Sequence, residues 1–483
     1  MSSILITNGT VIDGAGNPPV AASVLIRGNR IAAVGTQFNA ERLEREGALR
    51  VIDAAGKTIL PGFIDAHCHL SFGQTRTQEE QDLYTSVELR TLRCAWNAKL
   101  MLRAGVTGIS QPGGSFYIGV GIREGIREGI IDGPRMTTAG RFITTSNGLS
   151  DHYPEAVGVP ESSIATLANT KDEMLAEVRR QVKNGVDYIK LSDSPYGDYQ
   201  AVTGDEMKAI ADLAHQLKKG VTIHARGPGE MLAAAEAGFD WIMHGNVMTD
   251  EAIERLAQSN IPLVPTLLLL ANLADFGHLV GTPVPVRDGC RRILDRTADA
   301  LHRAHRAGVK FIVGTDSGFS VTPFGDWYAR ELELLMQYAG LSPLEAIQAG
   351  TKNAALVLGL AGEVGEIAPG KLADVIVVDG DPLADIRVLL DKRRITTVIK
   401  DGRVVEFDDE KLFVRPYDRA SVFSLTDLTY DLVYGERAGA TVGAPERREA
   451  AWFPEEGKTL ASDLKERERA AAAAAAERHD LQS

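Results

Sequence analysis

The amino-acid sequence predicts an α/β protein. It reads as a (β/α)8 barrel over residues 61–362, a small β-sandwich built from residues 1–60 and 363–420, and a C-terminal extension over 421–483. Three observations predict this. Through the middle of the chain, short apolar runs alternate with longer amphipathic stretches, the rhythm of βαβ units. β-Rich runs broken by tight-turn dipeptides lie on both sides of that region. Beyond them the pattern changes to mixed charge and a run of alanines.

The first flank carries "SILITNGTVIDG" and "AASVLIRGNRIAAVG", in which Asn-Gly, Asp-Gly and Gly-Asn mark hairpin turns. The second carries "LADVIVVDGDP" and "ITTVIKDGRVVE". Chain ends often meet in space, so the two pieces are expected to close one sandwich.

The central strands are read at "GVTGIS", "VDYIKLS", "VTIHARG", "WIMHGN", "IPLVPTL" and "KFIVGTD". Helices are read at "LYTSVELRTLRCAWNAKLMLRA", "GDEMKAIADLAHQLKK", "PGEMLAAAEAG" and "TDEAIERLAQSN". A stretch of this length fits a closed barrel, typically about 250 residues, better than an open sheet.

The tail contains seven alanines, Ala470 to Ala476, and alanine is the best helix former. It also carries Phe423, Tyr430, Tyr434, Trp452 and Phe453, more large apolar groups than a solvated segment holds. It is therefore expected to dock on its own barrel or on a second subunit, and a homo-oligomer is expected.

Composition narrows the function. The net charge of −13 argues against nucleic acid and offers nothing to an anionic membrane surface. Three dispersed cysteines read as reduced thiols. No signal peptide or membrane span is read, so the expected compartment is the cytoplasm and the expected partner a small-molecule substrate.

The chemistry is concentrated in a few strand ends. In "PGFIDAHCHL", His67 and His69 are two residues apart. On a strand running from Phe63 to His69 both imidazoles would share one face, a poor core but a good pair of metal ligands. Lys190, His224, His244 and Asp316 close four other apolar runs, and catalytic groups of barrels gather at strand C-termini. Each has a bland reading alone: a satisfied core histidine, a lysine snorkelling outward, a turn aspartate. Together they are harder to dismiss, because four of only ten histidines end apolar runs.

This set resembles the amidohydrolase superfamily. There an HxH on the first barrel strand, a lysine on the fourth, histidines on the fifth and sixth and an aspartate on the eighth bind two divalent metals. His67, His69, Lys190, His224, His244 and Asp316 match in that order. The resemblance covers about residues 1–410 and implies Zn²⁺ first, with Mn²⁺ or Co²⁺ as alternatives, bridged by a carbamylated Lys190. It also implies that Asp316, with His244, carries the catalytic step, in which water activated between the metals attacks a carbonyl carbon.

Within the superfamily, "AGVTGISQPGG", "GIREGIREGIIDGPRMTTAGRFITTSNG" and "YIKLSDSPYG" are similar to the imidazolonepropionase-like, prolidase-type branch. That branch includes dipeptidases acting before proline, ochratoxin-type amidases and hydrolases of carbamate and urea herbicides. Prolidase-like members often carry a Gly-His-Gly loop where this chain has "SNGLSDHYP", which argues against a dipeptide. The expected reaction is hydrolysis of an amide, carbamate or urea C–N bond in a small apolar or aromatic substrate. X-Pro or N-acyl amino-acid cleavage is the alternative, and a mononuclear deaminase or a non-catalytic assembly subunit follow behind. His152, Tyr153, Tyr196 and Arg226 are the candidate substrate contacts.

Overall fold

The computed structural model describes residues 3–73, 79–319, 321–408 and 428–435. Phe423, Trp452, Phe453, the alanine run and most of the expected extension lie outside the described residues.

The two β-rich flanks combine. Strands β1 (Ser3–Val11), β2 (Val20–Arg27), β3 (Arg30–Gly35), β4 (Leu49–Asp53) and β5 (Thr58–Pro61) join three strands from the far end of the chain, Val375–Val378, Ile395–Lys400 and Arg403–Val404. Where a sandwich of two layers is expected, these eight strands are hydrogen-bonded into a single sheet. The reason lies in β1. Its first half pairs with β4 and its second half with β5, with a register shift between Ile6 and Gly9. One edge thus serves both β4 and the route to the C-terminal strands, since Val375 to Val378 pair antiparallel with β5. Ile4, Ile6, Val24, Ile59, Val375 and Val377 form the core of this part.

The central region holds parallel strands with helices between them. β6 (Phe63–Asp65), β7 (Val106–Gln111) and β8 (Arg135–Thr138) form one parallel sheet. β9 (Phe142–Thr144), β10 (Ala165–Leu167), β11 (Tyr188–Ser192), β12 (Gly220–Ala225), β13 (Trp241–His244) and β14 (Leu263–Val264) form a second, also parallel. Backbone bonds run between the sheets. Asp187 N–H donates to Thr138 O at 2.9 Å. On the far side Ile312 N–H donates to Leu263 O at 2.9 Å, and Ala66 N–H to Val313 O at 2.8 Å.

Helices begin where sequence chemistry starts them. Thr170 with Glu173, Thr203 with Glu206 and Ser342 with Glu345 form reciprocal capping boxes at Lys171–Lys183, Gly204–Gln216 and Pro343–Ala349, satisfying amides that a first turn leaves free. The buried faces of the helices pack on the strands in one large apolar cluster.

One expected strand differs. "KFIVGTD" forms no continuous ladder: it meets its neighbours through the isolated bridge of Phe311 with Leu263 and through single backbone bonds to Leu263, Ala66 and His67. Its amides have other partners: Val313 N–H donates to Ala349 O at 3.2 Å and Thr315 N–H to the Asp65 carboxylate at 3.1 Å. A side chain and a helix end replace part of the ladder.

A piece of the extension docks. Leu428 is fully buried and its carbonyl accepts the Trp327 indole N–H at 2.5 Å. The short helix Tyr430–Tyr434 brings the Tyr434 ring to 6.2 Å from both Phe276 and Trp327. No described helix is long and apolar enough to cross a membrane.

Candidate metal centre

All six ligand candidates are buried: Lys190, His224 and His244 lie on β11, β12 and β13, His67 and His69 follow β6, and Asp316 ends "KFIVGTD". β6 ends at Asp65, so the HxH sits beyond the strand and not within it as the sequence reading has it. Its rings still converge, because His67 and His69 each have one ring nitrogen tied down. His69 Nδ1 lies 2.8 Å from Gly113 O, an acceptor, so Nδ1 carries a hydrogen and Nε2 faces inward. His67 Nδ1 lies 3.2 Å from Thr266 Oγ1. The two Nε2 atoms face each other at 3.2 Å.

Asp316 completes this corner. Its carboxylate Oδ1 is 3.3 Å from His67 Nε2 and 3.1 Å from His69 Nε2. Burial alone would raise the carboxyl. The neighbouring His67, His69 and Lys190 side chains outweigh it and hold the group well below the usual range, so Asp316 is an anion at neutral pH. Asp316 and His244 both adopt positive φ, +52° and +76°.

The other corner is built from β11, β12 and β13. The His224 and His244 ring centroids are 4.2 Å apart, and His67 and His244 are 5.3 Å apart. His224 Nε2 and both ring nitrogens of His244 are buried with no hydrogen-bond partner among the described residues. Burial pushes His67, His224 and His244 well below the ordinary histidine value, leaving neutral imidazoles with lone pairs to offer. Uncompensated buried polar atoms of this kind are costly unless something fills the site. His67, His244 and Asp316 bring ligand atoms within 4.8 Å of one another, a group able to hold a metal ion.

Lys190 is buried among them. Its Nζ contacts the Met243 thioether at 2.9 Å, and among the described residues it forms no ion pair. Burial lowers its pKa to about 7. The donor set of imidazole nitrogens and a carboxylate fits a divalent cation of the zinc, manganese or cobalt type.

The substrate candidates separate. Arg226 follows His224 by two residues and Asn246 follows His244 by two; Arg226 Nη1 donates to Asn246 Oδ1 at 2.7 Å. Its Nε is buried without a partner. Tyr196, beyond β11, is 80% exposed and contributes to the electrostatic environment of Arg226. The rings of His152 and Tyr153 lie 4.4 Å apart and tilted by 40°, and Tyr153 donates to Asp82 at 3.2 Å. Neither hydrogen-bonds or stacks with the histidine cluster.

Several residues of the site were not singled out from sequence. Asp65, inside the quoted HxH motif, accepts from His67 N, Thr315 N and Thr315 Oγ1 at 3.0, 3.1 and 2.6 Å. Burial raises its pKa to about 7. Glu230 accepts from Ser194 Oγ and Arg226 N at 2.5 and 2.8 Å, binding two site loops together. Thr266 closes the apolar run "IPLVP", the same signal that picked out the other strand-end residues.

Parallel strands whose C-terminal ends converge on histidines, a lysine and an aspartate define a metal-dependent hydrolase architecture. The chain matches the amidohydrolase family model over residues 58–405 and belongs to that family. It is 26% identical over 438 residues to ochratoxinase of Aspergillus niger, covering 83% of this chain and 86% of the relative. A crystal structure of a Xaa-Pro dipeptidase with bound methionine is similar at TM-score 0.74 and 27% identity, covering 84% of this chain and all of that one (100%). Molinate hydrolase is similar at TM-score 0.68 and 25% identity, over 87% and 99% of the two chains. The protein is a hydrolase of carbon–nitrogen bonds.

Proposed function

We propose that the chain hydrolyses an amide, carbamate or urea C–N bond of a small apolar or aromatic molecule with two divalent metal ions, Zn²⁺ first. The observation that carries this is a buried cluster of four histidines beside one carboxylate, with three ring nitrogens of His224 and His244 lacking a hydrogen-bond partner among the described residues. His67, His69 and Asp316 would hold one ion, and His224 and His244 the other. Lys190 would bridge them as a carbamate, formed when its amine adds to carbon dioxide and releases a proton. Its burial without an anionic partner supports that conversion, since a free ammonium here would repel both ions. Bound metals supply Lewis-acid polarisation of the carbonyl and water acidified to a pKa of about 7.

The chain's own groups do the rest. Asp316, anionic and hydrogen-bonded through its backbone to His67, accepts the proton of the attacking water at its carboxylate and returns it to the leaving nitrogen. His244 shares the catalytic corner through its two unengaged nitrogens. The positions flanking β11 and β12 set the substrate, with Arg226 and Tyr196 at the mouth. His152 and Tyr153 are assigned to the outer loops of the same mouth.

In the architecture we infer, residues 61–362 close into one eight-stranded ring through the bonds at Thr138, Leu263 and Val313. Residues 1–60 and 363–420 form the smaller β-domain, and 421–483 a docking arm. Leu83, Tyr84 and Leu92, exposed by 44%, 79% and 70%, support a homo-oligomer. Three free buried cysteines support a cytoplasmic location.

One observation favours a second substrate class. Among the described residues the Arg226 guanidinium has an amide partner, Asn246, and no carboxylate one, although buried arginines are normally paired. A substrate carboxylate would supply the missing anion, as in an N-acyl amino acid or X-Pro dipeptide. The deciding experiment is metal analysis followed by a hydrolysis screen of the metal-loaded enzyme over N-acyl amino acids, X-Pro dipeptides, anilides, phenylureas and thiocarbamates. A preparation binding no metal, or fully active without it, would overturn the proposal.

A further inference from the structure

Thr266 stands directly behind His67. It is 2% exposed and its φ is +54°. The left-handed region is sterically costly for any L-residue and is a true outlier for a β-branched one. Such strain persists only where the surroundings over-determine it, and it clusters at functional sites.

The surroundings do so here. Glu331, buried on the helix Tyr328–Ala339, accepts the Leu267 N–H with both oxygens at 3.0 Å and the Leu268 N–H at 2.9 Å. These bonds hold the two residues after Thr266. On the other side, Thr266 Oγ1 donates to Val264 O at 3.2 Å. A hydroxyl has one hydrogen, so toward His67 the oxygen can only accept. With the hydroxyl hydrogen assigned to Val264 O, the 3.2 Å contact is a bond from His67 Nδ1–H. The proton sits on Nδ1, and the lone pair sits on Nε2, the atom facing His69 and Asp316.

We infer that Thr266 is a positioning residue: held in a strained conformation by Glu331, it fixes the tautomer and ring direction of His67 so that Nε2 is offered to a metal ion. The inference rests on the metal-site reading above. Metal-ligating histidines generally donate their other nitrogen to a fixed acceptor, and a hydroxyl whose hydrogen is already committed serves as one.

The test uses the full-length protein and Zn²⁺ as the probe. Thr266→Val keeps the shape and removes the hydroxyl; Thr266→Ser keeps the hydroxyl and removes the branch. Zinc affinity, measured by competition with a chromophoric chelator, should fall by about 10–100-fold in the valine variant and stay within about threefold of wild type in the serine variant. Visible spectra of the Co²⁺-loaded proteins should follow the same order. Equal affinity of the valine variant and wild type, or an equal loss in both variants, would overturn the inference. If Thr266→Val does not fold, the wild-type protein decides it. Long-range ¹H–¹⁵N spectra of zinc-free enzyme, with His67 assigned by comparison with His67→Gln, should show the Nδ1–H tautomer, and the Nε2–H tautomer would overturn it. Wild type that binds no zinc but shows the Nδ1–H tautomer would instead remove the metal-site reading and leave the Thr266 contact standing.

Discussion

Asp316 meets His67 at two points: its backbone N–H donates to the His67 carbonyl at 2.6 Å, and its carboxylate lies 3.3 Å from the same residue's Nε2. The backbone bond sets where the aspartate sits, and the side chain sets what it can do. The two functions separate by mutation.

Asp316→Asn keeps the backbone bond and the volume while removing the anion. The folded protein should survive with an unfolding temperature close to wild type. The rate should fall by at least the roughly 10²–10⁴-fold that a general acid–base group supplies. Steady-state kinetics on any substrate from the screen checks this, and an asparagine enzyme within tenfold of wild type would end the proton-shuttle role.

Lys190→Ala should lose activity and at least one metal, because a bridging anion is gone. Short carboxylic acids added with metal should restore part of both. Lys190→Arg should not, since guanidinium stays cationic and cannot become a carbamate by this route. Metal content by mass spectrometry, with and without added acetate, is the measurement.

Glu331 predicts a pH effect on stability. Burial raises its carboxyl from an ordinary value of 4.5 to about 8, and Asp65 and Asp316 push the same way against the bonds from Leu267 and Leu268. The folded state therefore holds this proton more tightly than the unfolded chain. The group costs nothing below the unfolded value, and its cost grows as pH rises toward 8. Relative to Glu331→Gln, wild type should lose stability between pH 5 and pH 8, by at most about 1.4 kcal/mol per unit. Urea unfolding at both pH values reads the difference, and a wild type that holds or gains stability relative to the glutamine variant as pH rises would contradict it.

Ending the chain before Leu428 would leave the Trp327 indole N–H buried without its acceptor and uncover Phe276. A loss of about 1–3 kcal/mol is expected from the unsatisfied donor alone. Thermal unfolding of the truncated protein checks it, and an unchanged midpoint would mean that the contact is dispensable.

Much of the site was legible because strand-end chemistry is local. An apolar run that stops at a polar residue marks a strand whose last inward side chain meets a cavity. That signal picked out Lys190, His224, His244 and Asp316, and the structure brings the last three, with His67 and His69, to within a few ångströms of common points. It could not separate Arg226, beside the cluster, from His152 and Tyr153, which make their contacts elsewhere. All lie in loops, where side-chain direction follows no fixed period.

The sequence by itself determined the rhythm of strand and helix, the capping boxes, the pairing of the two β-rich flanks and the residue types available for chemistry. These depend on periodicity, turn residues and near neighbours. Only the tertiary structure decided that the flanks make one sheet, that "KFIVGTD" trades ladder bonds for the Asp65 carboxylate, and that Thr266 points its oxygen at His67. Asp65 and Thr315 are 250 residues apart, and Thr266 and His67 are 199 apart. No local pattern encodes such partners: they follow from which strand ends the folded core sets side by side, and from which buried donor finds an acceptor there.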